Sequence, residues 1–335
     1  MLMVMATSLM VERRPAEVSQ AGAEVFGSRY ELLDRVGRGG MSVVWRARDT
    51  VTDRLVAVKV LDERYAADRT LRQRIREEAR IAATVSSPYV VRAFRHGDHQ
   101  RGDERLPFVV MELVDGITLQ ERLNAGPMPP ALAVGVGAQV AAGLAAIHAA
   151  GVVHCDVKPS NIMLVGDTAK IVDFGIAVRA GSGDALNRPF QILGTPAYMA
   201  PERLTGGVVR APADVYALGI LLYRLLAGAS PWSVEDTMRM LVAHVSDEPA
   251  PLPPRAGIPA SVAALADRCL AKDPAARPSA AEAELVLSLG SLTGAEVDGS
   301  AAEFEGTGCS RARWADRDTD MLRSMRLFTA APSSL

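Results

Sequence analysis

Two short motifs near the middle of the chain bring together the groups that phosphoryl transfer needs. In the first, HCDVKPSN, Asp156 is followed two residues later by Lys158 and three residues after that by Asn161. The second, DFG, supplies another carboxylate, Asp173, seventeen residues after Asp156. Because phosphoryl transfer depends on positioning and charge neutralisation, we expect Asp156 to orient a hydroxyl or accept its proton. Lys158 would neutralise a γ-phosphate, and Asn161 and Asp173 would hold Mg²⁺ bridging the phosphates.

A glycine-rich run and two ionisable residues upstream suit the binding of a polyphosphate. Between two predicted strands, glycines let backbone N–H groups approach phosphates closely, although such a run is often only a hairpin. Lys59 lies on a predicted strand, where its ammonium could reach the α- and β-phosphates. Glu78 follows nineteen residues later on a predicted helix and could hold Lys59 in place, with Glu77 as the competing residue. The glycine-rich run comprises Gly37, Arg38, Gly39, Gly40, Met41 and Ser42.

The composition is that of an ordinary globular chain with nearly balanced charge. Its 335 residues are 49% hydrophobic and 5% aromatic, with a net charge of −2. This balance gives no argument for nucleic acid or an anionic membrane as a partner. The three cysteines lie far apart without a CxxC pair, so we expect neither a disulfide framework nor a zinc site. A reducing compartment fits this pattern, and we expect a cytoplasmic protein.

The basic residues are divided very unevenly between lysine and arginine. Lysine occurs only at 59, 158, 170 and 272, and the other 33 of the 37 basic residues are arginine. This skew fits a GC-rich coding genome and suggests a bacterium. Each lysine that remains gains weight as a candidate functional residue, because the background favours arginine.

No segment is expected to insert into a membrane. Met1–Val11 is apolar but short and has no cationic region before it, so it does not resemble a signal peptide. Residues 131–150 are long enough to span a bilayer. However, Gln139 and His148 interrupt them, and alanine and glycine predominate over leucine and isoleucine. We therefore expect a buried helix, in which His148 is a satisfied core histidine and not a ligand.

Hydrophobic periodicity predicts strands in the first third of the chain and helices after Pro130. Antiparallel strands are expected between Tyr30 and about Val60, and Phe108–Leu113 should form a buried strand. The charged segment 69–85 has the apolar spacing of a helix. Further helices are predicted over 130–150, 213–228, 234–245, 260–271 and 279–289. After Gly290 the composition shifts, which marks a tail.

The motifs together resemble those of the eukaryotic-like Ser/Thr protein kinases, particularly the bacterial branch. They include GTPAYMAPE ending at Glu202, DVYALG beginning at Asp214, and Arg277, in addition to the two motifs above. The resemblance runs from about Tyr30 to Leu289. It implies an α+β, two-lobed protein kinase fold, with a small antiparallel-sheet N-lobe carrying one key helix and a larger helical C-lobe. ATP would bind between the lobes with Mg²⁺, or with Mn²⁺ in its place.

The resemblance also implies roles for individual residues. Glu202 would pair with Arg277, and Asp214 would brace the catalytic loop. Lys158 is typical of kinases that phosphorylate Ser and Thr, so the partners would be protein substrates with those acceptors; the oligomeric state is left open. The nucleotide-binding residues implied are Val44, Ala57 and Met163 along the adenine pocket, Met111 at its back, and the hinge residues Glu112 and Val114.

The expected domain boundaries come from composition and periodicity at the two ends of the chain and from the resemblance between them. Residues 1–27 would be a flexible leader and 28–290 the kinase domain, with N-lobe 28–113, hinge 112–115 and C-lobe 116–290. Residues 291–335 would be a disordered tail, with an amphipathic docking helix as the alternative.

Cys155 departs from the family pattern, which usually has arginine there. That arginine normally pairs with a phosphorylated residue of the activation loop, a bond that a thiol cannot replace. Between Gly175 and Gly194 the only hydroxyl is that of Ser182. We therefore hypothesise that activation-loop phosphorylation is not the main control. We expect the thiol to be small, buried and inert, with redox activity as the alternative.

Two other functions compete with that of a protein kinase. One is a pseudokinase scaffold that binds ATP and partners without turnover, and the other is a small-molecule phosphotransferase on a related fold. The first does not explain why all the ionic groups are retained, and the second does not explain the GTPAYMAPE segment.

The glycine-rich run also departs from the family pattern, because Ser42 lies where the third glycine of G-x-G-x-x-G would be.

Overall fold

The structure is a computed structural model that describes residues 24–295, except 40–41, 103, 175–177, 180–195, 233, 235 and 255–256. The expectations for Gly40, Met41 and Ser182, and for the chain before 24 and after 295, lie outside the described residues. Within them the fold has two lobes, an antiparallel sheet with one long helix followed by a larger helical region, as the resemblance implied.

The N-lobe is built on an antiparallel sheet in the order β1-β2-β3-β4-β6-β5. Alternation along β4 explains its two faces: Val56, Val58 and Val60 pack into the core of the outer face, while Lys59 lies on the opposite face. The strands are β1 (Val25–Phe26), β2 (Tyr30–Arg38), β3 (Ser42–Asp49), β4 (Arg54–Leu61), β5 (Ala93–Arg101) and β6 (Glu104–Glu112).

One helix, α1 (Arg69–Ala82), covers the face of the sheet that carries Lys59. It begins at Asp68, whose carboxylate accepts the N–H groups of the first turn and satisfies donors that the helix cannot pair. Leu71 and Ile75 pack against Leu61 of β4. Burial of each such side chain stabilises the fold by about 1.5–3 kcal/mol and fixes the helix over the sheet.

The C-lobe core is formed by two apolar helices, α3 and α5. The elements in chain order are β7 (Ile117–Thr118), α2 (Leu119–Asn124), α3 (Pro130–Ala149), β8 (Val152–Val153), β9 (Ile162–Val165), β10 (Thr168–Ile171), β11 (Val178–Arg179), α4 (Pro201–Leu204), α5 (Pro212–Ala227), α6 (Thr237–Ser246), α7 (Ala260–Cys269) and α8 (Ala280–Ala295). Helix α3 packs against α5 and α8, and α5 packs against α7. Helix α5 ends at Gly228, which adopts a left-handed conformation with φ 76°.

Helix α3 is a buried core helix, as the sequence predicted. By length and composition it could cross a bilayer, and no other helix of the described ranges passes that test. Ten of its residues are nevertheless buried against the rest of the lobe.

The predicted elements are present, with shifted ends. Helix α8 continues to Ala295, beyond the expected end of the domain at 290, and β1 begins at Val25, inside the expected leader. Two elements were not predicted from the sequence, the strand over Ala93–Arg101 and the helix over Leu119–Asn124. The first of these is polar and exposed on most of its length, and the second spans only six residues, so neither has clear periodicity.

The segment that joins the lobes passes very close to β9. A Cβ atom on Gly116 would lie 2.0 Å from the carbonyl oxygen of Leu164, so only glycine fits without moving one of the two backbones. This contact places the segment after β6 directly against the strand that carries Met163.

We predict that Gly116→Ala lowers the free energy of unfolding by about 1–3 kcal/mol, because the added methyl group overlaps backbone atoms. Gly135→Ala in α3 is the matched control, since a Cβ there meets no atom within 4 Å. It should raise the free energy of unfolding by up to ~1 kcal/mol. Urea denaturation followed by circular dichroism measures both values. Equal effects of the two substitutions would contradict the close approach.

Candidate active site

A buried ion cluster joins three elements of the two lobes. The ammonium of Lys59 on β4 lies 2.5 Å from a carboxylate oxygen of Glu78 on α1 and 2.7 Å from one of Asp173, which follows β10. All three side chains are at most 9% exposed. Glu77 instead points toward solvent and lies 3.5 Å from Arg80. The residue that meets Lys59 is therefore Glu78.

The cluster contains two carboxylates and one ammonium. Burial alone would lower the pKa of Lys59, but attraction to Asp173 and Glu78 outweighs it and raises that pKa. Burial raises the pKa of the Glu78 carboxyl; Lys59 opposes that rise, and the neighbouring carboxylate of Asp173 adds to it. Lys59 thus stays charged, and its ammonium is shared between the two carboxylates.

The loop after β8 brings Asp156, Lys158 and Asn161 together. The Lys158 ammonium lies 2.7 Å from Oδ2 of Asp156, and the side-chain amide of Asn161 donates to the same oxygen at 2.9 Å. A second bond from that amide reaches the Asp156 carbonyl at 2.9 Å. All three residues are buried. The Asp156 carboxylate is therefore fixed by two donors before any substrate arrives.

Asn161 and Asp173 have the chemistry of a Mg²⁺ site that is completed by phosphates. The backbone N–H of Val172 donates to the Asn161 carbonyl at 3.0 Å. This bond places Asp173, the residue after Val172, close to Asn161. The amide oxygen Oδ1 of Asn161 is buried and has no hydrogen-bond partner, as expected of an atom reserved for a cation. The described ranges hold no group of three His, Cys, Asp or Glu that could bind a metal. Mg²⁺ commonly takes one or two protein ligands and its others from phosphates and water.

Asp214 on α5 holds the loop that follows β8. Its carboxylate accepts the backbone N–H groups of His154 and Cys155, both at 2.7 Å, and contacts Nε2 of His148 at 2.8 Å. Burial alone would raise the pKa of Asp214, but the hydrogen bond from His148 and the backbone N–H donor of His154 lower it. His148 is thus satisfied, as the sequence predicted, and its partner is the residue that braces the loop.

The apolar side of the cleft is formed by strands that face one another in register. Val44 is paired with Lys59 across β3 and β4, and Ala57 with Met111 across β4 and β6. Met163 on β9 is paired with Lys170 on β10. The predicted adenine-pocket residues are therefore held on neighbouring strands or on the strand pair beneath the hinge.

At the hinge, an ion pair was missed by the sequence analysis. The ammonium of Lys170 lies 2.6 Å from Oε1 of Glu112, and the Glu112 backbone N–H donates to the carbonyl of Arg92 at 2.9 Å. Val114 follows as a half-buried residue. The signal for Lys170 was the scarcity of lysine in an arginine-rich chain, although that scarcity did not reveal its partner.

The glycine-rich run is described at Gly37, Arg38, Gly39 and Ser42. The N–H of Gly39 donates to the carbonyl of Ser42 at 2.7 Å, which closes the hairpin. The Arg38 guanidinium lies 2.9 Å from Asp62, so that side chain is engaged by an ion pair. Ser42 is buried where a third glycine would be expected.

The thiol of Cys155 is turned into the protein. The residue is 5% exposed, and burial raises the pKa of its thiol, so the thiolate needed for reactivity is disfavoured. This agrees with the interpretation of a small, inert side chain.

Comparisons with known proteins point to one family. The family model described as the protein kinase domain matches residues 30–285. The serine/threonine-protein kinase PknD of Mycobacterium tuberculosis is 40% identical over 283 residues, which are 84% of this chain and 41% of that protein. PknB of the same organism is 40% identical over 252 residues, 73% of this chain and 40% of PknB. PknL is 40% identical over 253 residues, 75% of this chain and 62% of PknL. The chain thus spans about two fifths of the length of PknD and PknB.

We predict that Asp214→Asn lowers the free energy of unfolding by at least about 2 kcal/mol, because it removes a charge and turns an amide toward buried donors. The pKa of Asp214 is lowered in the folded state, so the carboxylate stabilises the fold above its usual pKa of 3.8. That contribution is lost as the pH falls below this value. The difference between wild type and variant should therefore be constant near neutral pH and shrink in acid.

Urea denaturation across this pH range measures the difference. Asp34→Asn is the control, because Asp34 is 39% exposed and lies 3.4 Å from Arg46. It should cost at most ~1 kcal/mol. A loss at Asp214 that is no larger than the loss at Asp34, or that persists unchanged in acid, would contradict the bracing role.

Proposed function

Because the chain belongs to the bacterial branch of the eukaryotic-like Ser/Thr protein kinases, we propose that it transfers the γ-phosphoryl group of ATP to Ser and Thr hydroxyls of proteins. The observation that carries this proposal is the buried contact of Lys59 with both Glu78 and Asp173. It supports the proposal because the cation and the metal-binding carboxylate already lie together, so little rearrangement is needed at the time of reaction.

The nucleotide binds between the lobes in this proposal. Lys59 contacts the α- and β-phosphates while Glu78 holds its ammonium, and the glycine-rich run covers the phosphates with backbone N–H groups. The adenine packs against the apolar residues on β3, β4 and β9, and the hinge from Glu112 to Val114 supplies backbone groups for its polar edge.

Asn161 and Asp173 would hold Mg²⁺, or Mn²⁺ in its place. When bound, the metal ion neutralises charge on the phosphates. The unpartnered Oδ1 of Asn161 and the carboxylate of Asp173 are the atoms suited to this task. The contact with Lys59 fixes one oxygen of the Asp173 carboxylate.

Asp156 positions the acceptor hydroxyl and accepts its proton. The bonds from Lys158 and Asn161 fix the carboxylate, which orients the hydroxyl oxygen toward the γ-phosphate. Lys158 lies beside it and neutralises negative charge on the transferred group. Since Lys158 follows Asp156 as in kinases that modify Ser and Thr, we assign those residues as the acceptors.

The acceptor is a protein segment in this proposal. Residues 196–198 form a short helical turn whose Tyr198 hydroxyl accepts a hydrogen bond from Arg224 at 2.7 Å. Tyr198 is buried, so this bond anchors residues 196–198, within the GTPAYMAPE motif, to α5. In protein kinases this segment shapes the site for an extended peptide, which a small-molecule phosphotransferase does not require. A scaffold without turnover would not need the ionic groups of phosphoryl transfer to lie together. The structure brings them into contact, at Lys59, Asp156, Asn161 and Asp173.

We predict that wild-type protein phosphorylates a generic protein substrate and that Asp156→Asn and Asp173→Asn each lower kcat by about 10²–10⁴, since each removes a group that acts on the reacting atoms. Asp167→Asn is the control, because Asp167 is exposed in the β9–β10 turn. Radiolabel transfer followed by phosphoamino-acid analysis measures rate and acceptor. No transfer by the wild type would refute the proposal and favour the scaffold.

We further propose that control of activity does not depend on activation-loop phosphorylation. The buried thiol of Cys155 cannot pair with a phosphate, which supports this proposal. Enzyme treated with a phosphatase, and shown by mass spectrometry to be free of phosphate, should keep most of its kcat. A large loss that autophosphorylation restores would show that the loop is the switch after all.

A further inference from the structure

The residue before Asp156 has an unusual backbone conformation. Cys155 has φ +67°, in the left-handed region that residues other than glycine seldom adopt. Its side chain faces inward, and its thiol contacts the carbonyl of Val153 at 3.5 Å. A backbone held in this region needs external support, because the surrounding structure must over-determine it.

Two side chains from different helices supply that support. The N–H of Cys155 donates to Oδ1 of Asp214 on α5 at 2.7 Å. The carbonyl of the same residue accepts a hydrogen bond from the guanidinium of Arg203 on α4. Both polar backbone groups of Cys155 are therefore bound by charged side chains, one of each sign, and such bonds are stronger than neutral ones.

Helix α4 is itself held rigidly. Glu202, the neighbour of Arg203, makes two bonds to the guanidinium of Arg277, at 2.7 and 2.9 Å. The Arg277 side chain is fully buried and also donates to the carbonyls of Pro212 and Lys272. Arg203 thus projects from a helix whose position is fixed by a bidentate buried ion pair.

We propose that Arg203 is a positioning residue that holds the catalytic loop through the carbonyl of Cys155. It connects the helix that follows the 196–200 segment to the residue next to Asp156. Because a guanidinium is charged at any physiological pH, this support requires no phosphorylation. This role rests on the proposed kinase function. Within it, Arg203 keeps the catalytic loop of the kinase ordered at all times.

The kinetic constants distinguish an effect on the catalytic loop, which changes kcat, from an effect on the nucleotide site, which changes the KM for ATP. In phosphate-free protein, Arg203→Gln should lower kcat about tenfold, since Asp156 loses support for its orientation. The KM for ATP should stay unchanged, because the contacts of Lys59 with Glu78 and Asp173 do not involve Arg203. Arg203→Lys keeps a cationic donor and should lie closer to wild type than to the glutamine variant.

Arg268→Gln is the matched control, because it removes an exposed arginine that lies 2.8 Å from Glu282 on α8. It should leave kcat unchanged. An unchanged kcat in Arg203→Gln, or an equal loss in both glutamine variants, would overturn the proposal. If Arg203→Gln does not fold, Arg203→Lys decides: retained kcat supports the proposal, and a tenfold loss in a folded protein overturns it.

Hydrogen–deuterium exchange gives a readout that does not depend on turnover. In Arg203→Gln the amides of Cys155 and Asp156 should exchange faster than in wild type, while peptides from α1 and β4 remain unchanged. Identical exchange at Cys155 and Asp156 would overturn the proposal even if kcat falls. Wild-type protein without turnover would refute the kinase function, and the exchange data would still decide whether Arg203 supports the loop.

Discussion

The arrangement of the two lobes depends on a single buried ammonium with two carboxylate partners. Lys59 comes from the sheet, Glu78 from the helix that covers it, and Asp173 from the other lobe. In a buried environment an unpaired charge is very costly, so the three elements must approach until the charges meet. The apolar contacts of α1 are compatible with this requirement, because they place the helix over the same face of the sheet. Packing and charge therefore favour the same position of the helix.

Those residues could be identified from the sequence because their spacing is set by local structure. Asp156, Lys158 and Asn161 lie within one loop, and the alternation of β4 already turns Lys59 away from its valine neighbours. The choice of Glu78 over Glu77 came from the resemblance, because the Glu-Ala-Arg run that begins at Glu78 matches the family, and the contact with Lys59 confirms it. Helix α3 could be recognised as a core helix of the fold because Gln139 and His148 interrupt it and alanine and glycine predominate over leucine and isoleucine.

Contacts between residues distant in the chain could not be predicted in this way. Nothing local to Lys170 reveals that it reaches Glu112 fifty-eight positions earlier. The contact between Arg203 and the carbonyl of Cys155 likewise depends on a backbone conformation that no pattern of side chains announces. Strand β5 was missed because its pairing with β6, and not its own composition, makes it a strand. Such features are decided by tertiary structure.

The few lysines of the chain have a practical consequence. Lys59 and Lys158 are at most 5% exposed, Lys170 is ion-paired at the hinge, and Lys272 donates to the carbonyls of Ala243 and His244 at the end of α6. Every side-chain amine of the protein is thus engaged in the fold, while its exposed cations are arginines. Reagents that acylate or cross-link amines would find few targets on the native surface. Their rate of reaction would report how often the cleft opens or the fold is lost.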